Sequence, residues 1–328
     1  MASTPTTPFA PKEAPRRSRA TTAPPAPPTS ALFAFIRRHA VLTYFVLAFA
    51  ISWGGLLLTY GPGGLTSSAW QSDPRATLIG VTLLAGPSVA GILLTGVASG
   101  RAGYRDLFAR LVRWRVGVGW YAVALLTAPL LAAATNFALA FFSPVFLPAV
   151  ATADDRGSLV LSGITLGLMI GFFEELGWTG FAIPRLRLRY GVLSTGLIVG
   201  VVWGAWHFLP NLESGSFAAA LPLSLLLARV FAWLPAFRLL MVWVYERTGS
   251  LLVAMLMHAS LVAGSSVVFA PPAVTAEGDF LTGIVAWAAV LWAVVAVVAV
   301  IKARAARGAL ADGARSGETV VSPSTAPS

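Results

Sequence analysis

The chain has 328 residues, of which 57% are hydrophobic and 11% charged, and its mean hydropathy is +0.77. A soluble domain carries about 25% charged residues, so the composition excludes a soluble globular protein and indicates an integral membrane protein. The absence of cysteine excludes disulfides and thiolate metal sites. In a membrane chain a net charge of +10 reports topology rather than nucleic-acid binding, so no nucleic-acid partner is expected.

Residues 1–30 are rich in Pro, Thr and Ala and are expected to be a disordered segment. They do not resemble a secretory signal, because the first apolar run begins near residue 40. A bilayer-spanning helix needs about 20 apolar residues. Eight stretches qualify: 40–60, 77–98, 118–142, 158–182, 190–209, 217–246, 250–270 and 280–302. The predicted fold is therefore all-α, a polytopic membrane bundle of about eight transmembrane helices over residues 31–302, with a disordered tail at 303–328. The sixth span carries Arg229, Pro235 and Arg238 and is expected to kink or tilt. The stretch 104–120, "YRDLFARLVRWRVGVGW", mixes arginines with Leu, Phe and Trp and is expected to lie as a helix in the membrane interface.

Basic residues set the orientation. Lys12, Arg16, Arg17, Arg19, Arg37 and Arg38 precede the first span, and Arg101, Arg105, Arg110, Arg113 and Arg115 follow the second. Arg185, Arg187 and Arg189 follow the fourth, Arg247 the sixth, and Lys302, Arg304, Arg307 and Arg315 the eighth. These 19 residues fall on one side, while the opposite loops hold only Arg75 and Arg156 and carry most of the loop acids. Both termini are predicted to be cytoplasmic, in a multi-pass protein of the cell membrane.

Against this background "GFFEELGWTG" (171–180) stands out, because an acid near the centre of a span costs roughly 2.5–3.5 kcal/mol on insertion scales. Gly163, Gly167 and Gly171 form a stripe with four-residue spacing that Glu175 and Thr179 continue, so this face is expected to pack against another helix. Glu174 lies about 100° around the helix from Glu175. The fifth span repeats the pattern with Gly196, Gly200 and Gly204, followed by His207, and the seventh holds His258 among apolar residues. At about 1.5 Å per residue, Glu174, His258 and Arg238 each lie about 12 Å from the basic ends of their helices. His207 sits about 9 Å higher by the same count. Trp178, Trp203 and Trp206 read as packing or interfacial-belt residues.

A desolvated glutamate can serve as a base, and two histidines can hold water and donate to an oxyanion. The same set could bind a metal or relay protons in a transporter.

Three motifs carry a resemblance. "EELGWTGFAIPRL" (174–186), "WGAWHFLP" (203–210) and "YERTGSLLVAMLMHAS" (245–260), within a motif core of 158–265, resemble the three motifs of the CPBP intramembrane proteases. That family includes the type II CAAX prenyl endopeptidases and bacterial bacteriocin-processing and self-immunity (Abi-like) proteins. The resemblance implies that Glu174 and His207 activate a water, that His258 helps form an oxyanion hole, and that no cofactor is needed, with zinc as the alternative. It further implies a peptide or membrane-protein substrate met within the lipid bilayer. The absence of cysteine, of a third nearby histidine and of HExxH spacing agrees with the metal-free expectation.

Two positions depart from the family pattern. Thr179 stands where the motif has an arginine that pairs with the second glutamate, and Val262 stands where an asparagine follows the last histidine. Ser265 is a candidate substitute donor. Arg238, at the matching depth on the sixth span, is the candidate replacement partner for Glu175. The expected function is thus an intramembrane endopeptidase. The alternatives are an inactive membrane scaffold or immunity protein and, behind it, a transporter.

Overall fold

A computed structural model describes residues 31–61 and 73–318. The expected disordered segment at 1–30 lies outside these residues. All the regular structure described is helical. A short helix α1 (Ala31–Arg38) leads into α2 (Ala40–Tyr60), α3 (Ala76–Leu111), α4 (Val118–Ala140), α5 (Arg156–Arg187), α6 (Val192–Trp206), α7 (Ala220–Thr248), α8 (Leu251–Val268) and α9 (Glu277–Glu318). Seven of these are long and apolar enough to cross a membrane, so the chain is an all-α, multi-pass membrane bundle.

Three expectations are corrected, and the irregularity expected in the sixth span is located. The stretch 190–209 is not a full-length span: α6 has 15 residues, or about 22 Å, against a hydrocarbon core of about 30 Å. Its chain leaves the helix at His207 and forms a 3₁₀ turn over Leu209–Asn211, where Pro210 removes an amide donor. The helix expected over 104–120 lies at 101–111 instead. It branches from α3 at Gly100, whose φ of 56° is open to glycine and unfavourable for other residues. Its Leu107 packs with Leu176, Leu251 and Met255, and Trp114 already lies in the turn that follows. The last helix does not end at 302 but continues to Glu318, and residues 319–328 lie outside the described residues. The interruption of α7 falls ahead of Pro235: a π-helical turn at Ala228–Ala232 is followed by Trp233 at φ −118°.

The glycine stripes do what their spacing predicts. A methyl group on Gly167 would overlap the Ala259 carbonyl oxygen of α8, and one on Gly171 would lie 2.6 Å from the Met255 carbonyl oxygen. Gly196, Gly200 and Gly204 meet Leu239, Pro235 and Val230 of α7 in the same way. Close approach of this kind supplies dispersion contact where lipid removes the hydrophobic drive for helix association. It also brings the backbones of α5 and α8, and of α6 and α7, near enough for short polar side chains to meet between them. At its start α5 is capped by Asp155, which accepts from the Ser158 amide at 2.9 Å and its hydroxyl at 2.6 Å. These bonds hold the Asp155 carboxyl below its ordinary range.

Candidate active site

Glu174 and Glu175 lie in the last turn of the α-helical part of α5, which ends at Gly177 before a π-helical turn at Trp178–Ala182. Both are buried. Glu175 is surrounded by donors: Arg238 Nη1 lies 2.9 Å from each of its oxygens, Thr179 Oγ1 donates to Oε2, and His258 Nδ1 lies 2.7 Å from Oε1. The partner expected from depth counting, Arg238 on another helix, thus occupies the place of the arginine that Thr179 replaces. Its guanidinium also stacks 4.1 Å over the Trp203 ring. A fully buried carboxylate requires such compensation, since unpaired burial costs several kcal/mol.

Glu174 differs from its neighbour. Among the described residues its one hydrogen-bond donor is Trp203, whose Nε1–H reaches Oε2 at 2.8 Å. The other oxygen is left for the cavity that Glu174 lines together with His207 and His258. That cavity has a volume of about 640 Å³. His207 caps α6 at its Nδ1, 2.8 Å from the Trp203 carbonyl oxygen. A carbonyl can only accept, so Nδ1 carries the proton and the neutral ring presents Nε2 as an acceptor. His258 uses Nδ1 on Glu175, which leaves its Nε2 free of the ion pair.

Trp203 joins these groups and was not legible as a site residue. Its ring meets both histidines edge-on, with centroids 5.1 Å from His207 and 5.3 Å from His258. One side chain therefore orients Glu174, covers Arg238 and separates the two imidazoles. Its sequence signals were its position one turn before His207 and its place as the aromatic that opens the motif "WGAWHFLP". Trp178 and Trp206 are buried packing residues rather than belt residues. Ser265, the candidate substitute donor, hydrogen-bonds the Leu261 carbonyl at 2.6 Å and does not line this cavity, whereas Ser266 does. The π-helical segment Val262–Val268 explains the change, because its wider turn advances the register by one residue. Val262 itself lines the cavity with an apolar side chain.

Among the described residues no group of three His, Cys, Asp or Glu side chains is arranged to hold a metal ion. Glu175, the acid closest to His258, is already saturated by Arg238 and Thr179.

Residues 156–264 match the family described as type II CAAX prenyl endopeptidase Rce1-like. The match contains all three motifs, so the resemblance read from them is borne out over this region. CAAX prenyl protease 2 of Methanococcus maripaludis is 42% identical over 41 residues, which is 12% of this chain and 15% of that protein. The aligned stretch thus spans a minor part of either protein.

Proposed function

We propose that the chain is an intramembrane endopeptidase in which Glu174 and His207 activate a water, with no resident metal. The observation that carries this reading is the convergence of Glu174, His207 and His258, from three helices, on one cavity. Glu174 takes a proton from water while His207 Nε2 holds it, and the hydroxide attacks the peptide carbonyl carbon. His258, protonated, donates from Nε2 to the oxyanion, and Glu175 stabilises its charge through Nδ1. The protonated Glu174 then gives its proton to the departing amine. Arg238 and Thr179 keep Glu175 ionised and fixed, which makes them positioning residues. The matched relative is named a CAAX prenyl protease. A membrane-anchored peptide or protein is accordingly the substrate class for this chain.

The test is substrate trapping in membranes with Glu174→Gln against wild type. Proteins retained by the variant and processed by the wild type support the reading. Equal processing by both would overturn it. A chelator should leave activity intact, and loss restored specifically by zinc would remove the metal-free mechanism. One observation favours a second reading, an inactive binding protein: Val262 presents no donor to the cavity. Under that reading wild type and Glu174→Gln retain the same partners uncleaved.

A further inference from the structure

The basic ends of the helices gather at one end of the bundle. Arg37 bonds the Val97 carbonyl at 3.1 Å, Arg185 reaches Ser99, and Arg110 joins Tyr245 and the Gly180 carbonyl at 3.0 Å each. Arg187 pairs with Glu246 at 2.6 Å, and Lys302 lies over Trp243. Of the 19 basic residues counted from sequence, Lys12, Arg16, Arg17 and Arg19 lie outside the described residues, while Arg37, Arg110, Arg185, Arg187 and Lys302 make the contacts just given.

Between this end and the reactive groups lies a layer of buried side chains. Trp178, Phe181, Met241, Val244 and Leu251 are fully buried, and Arg238 fills the space beside Glu175. No cavity among those described reaches the Glu174 carboxylate through this layer.

In the other direction the packing opens. From Glu174 the cavity runs past His207 to Asn211, Glu213, Arg229 and Phe280. Two more cavities of about 340 Å³ adjoin it there, one sharing Glu213 and Arg229 and the other sharing Trp233 and Ser266, and Phe280 borders all three. Arg229 pairs with Glu213 and lies 4.6 Å over the Phe280 ring, so this ion pair sits at the rim, with the Glu213 side chain 45% exposed. The rim belongs to the α6–α7 connection and the start of α9, both remote from the basic ends. Inward of the rim the walls are apolar, formed by Leu166, Ile170, Leu261 and Ile284.

We infer that the cavity opens on the face opposite the basic one, and that the protein therefore takes an apolar peptide segment from the outer side of the membrane. Basic loops remain cytoplasmic, so a mouth at the acid-rich end faces out. The substrate side of this inference rests on the peptidase reading above, whereas the opening direction does not. A prenylated cytoplasmic C-terminus would meet the sealed layer instead.

The natural lack of cysteine permits a direct test. Single-cysteine variants Ser214→Cys at the rim, Ser266→Cys inside the cavity and Leu188→Cys at the basic end are exposed in intact cells to a small, membrane-impermeant, charged methanethiosulfonate. Ser214→Cys and Ser266→Cys should react fully, and Leu188→Cys only after permeabilisation. The inference is overturned by the reverse pattern, by Ser266→Cys reacting only after permeabilisation while Ser214→Cys reacts outside, or by Ser266→Cys reacting under neither condition. Peptidase activity of the Ser266→Cys protein is then followed before and after modification. Labelling from outside without any activity in wild type would count against the peptidase reading alone. Labelling from outside that blocks an existing activity at least 10-fold ties the outer mouth to the substrate path.

Discussion

On the basic side of the site, Glu175 accepts from an arginine, a threonine and a histidine in a layer of fully buried side chains. One residue earlier in the chain, Glu174 accepts a single bond from Trp203 and faces open space. The two carboxylates share a helix, a depth and a residue type. Rotation of about 100° about the helix axis separates a group that holds three helices together from a group left reactive. The proposed water activation requires an acid that is desolvated and underbonded. It can exist only because the neighbouring acid, equally desolvated, anchors the frame around it.

Substitutions at the two acids should therefore fail in different ways. Glu174→Gln removes the base and should lower turnover about 1,000-fold, with thermal stability in detergent unchanged. A matching loss of stability would erase the distinction. Arg238→Ala leaves the Glu175 carboxylate buried against Thr179 and His258 without its cation, and should cost about 3–5 kcal/mol of stability. Glu175→Gln should behave alike, and the Glu175→Gln/Arg238→Ala double variant should cost less than the sum of the single changes in a denaturation cycle. Strictly additive losses would dissolve the pair.

Between the extremes lies the helix contact that supports both acids. Gly167→Ala forces a methyl group into the Ala259 carbonyl and should cost about 1–3 kcal/mol by separating α5 from α8. Turnover of the protein that remains folded should fall with it. Glu213→Gln, at the exposed rim, should change stability by no more than about 1 kcal/mol. A larger effect in thermal unfolding would mean that the rim is as structural as the sealed layer.

Hydropathy made the spans legible, because every stretch that must meet lipid has to be apolar over a bilayer's thickness. The insertion cost of an intramembrane charge did the same for Glu174, Glu175 and His258, and the arginine missing at Thr179, together with depth counting, pointed to Arg238 as the partner of Glu175. Features that carry no such cost were not legible. Trp203 is as acceptable against lipid as against Arg238, so nothing in its identity marked it as the group that orients Glu174. The end of α6 at His207 depends on a local turn within an apolar run. The 9 Å offset counted for His207 assumed straight, regular helices. The structure seats it in the same cavity as Glu174, at the end of a helix that stops short. Ser265 and Ser266 exchange roles because a π turn is not marked by any residue type.

Three π-helical segments, Trp178–Ala182, Ala228–Ala232 and Val262–Val268, interrupt three helices that line the site. Each holds one residue more than an α-helical turn would. In this chain, length in those segments acts as an adjustable dial. Deleting a single residue would remove the extra residue of a turn, yet swing everything beyond it by about 100°. In α8 that swing falls between His258 and Ser266, and in α7 between Arg229 and Arg238. Lineages that descend from this architecture should therefore conserve the residue count of these turns.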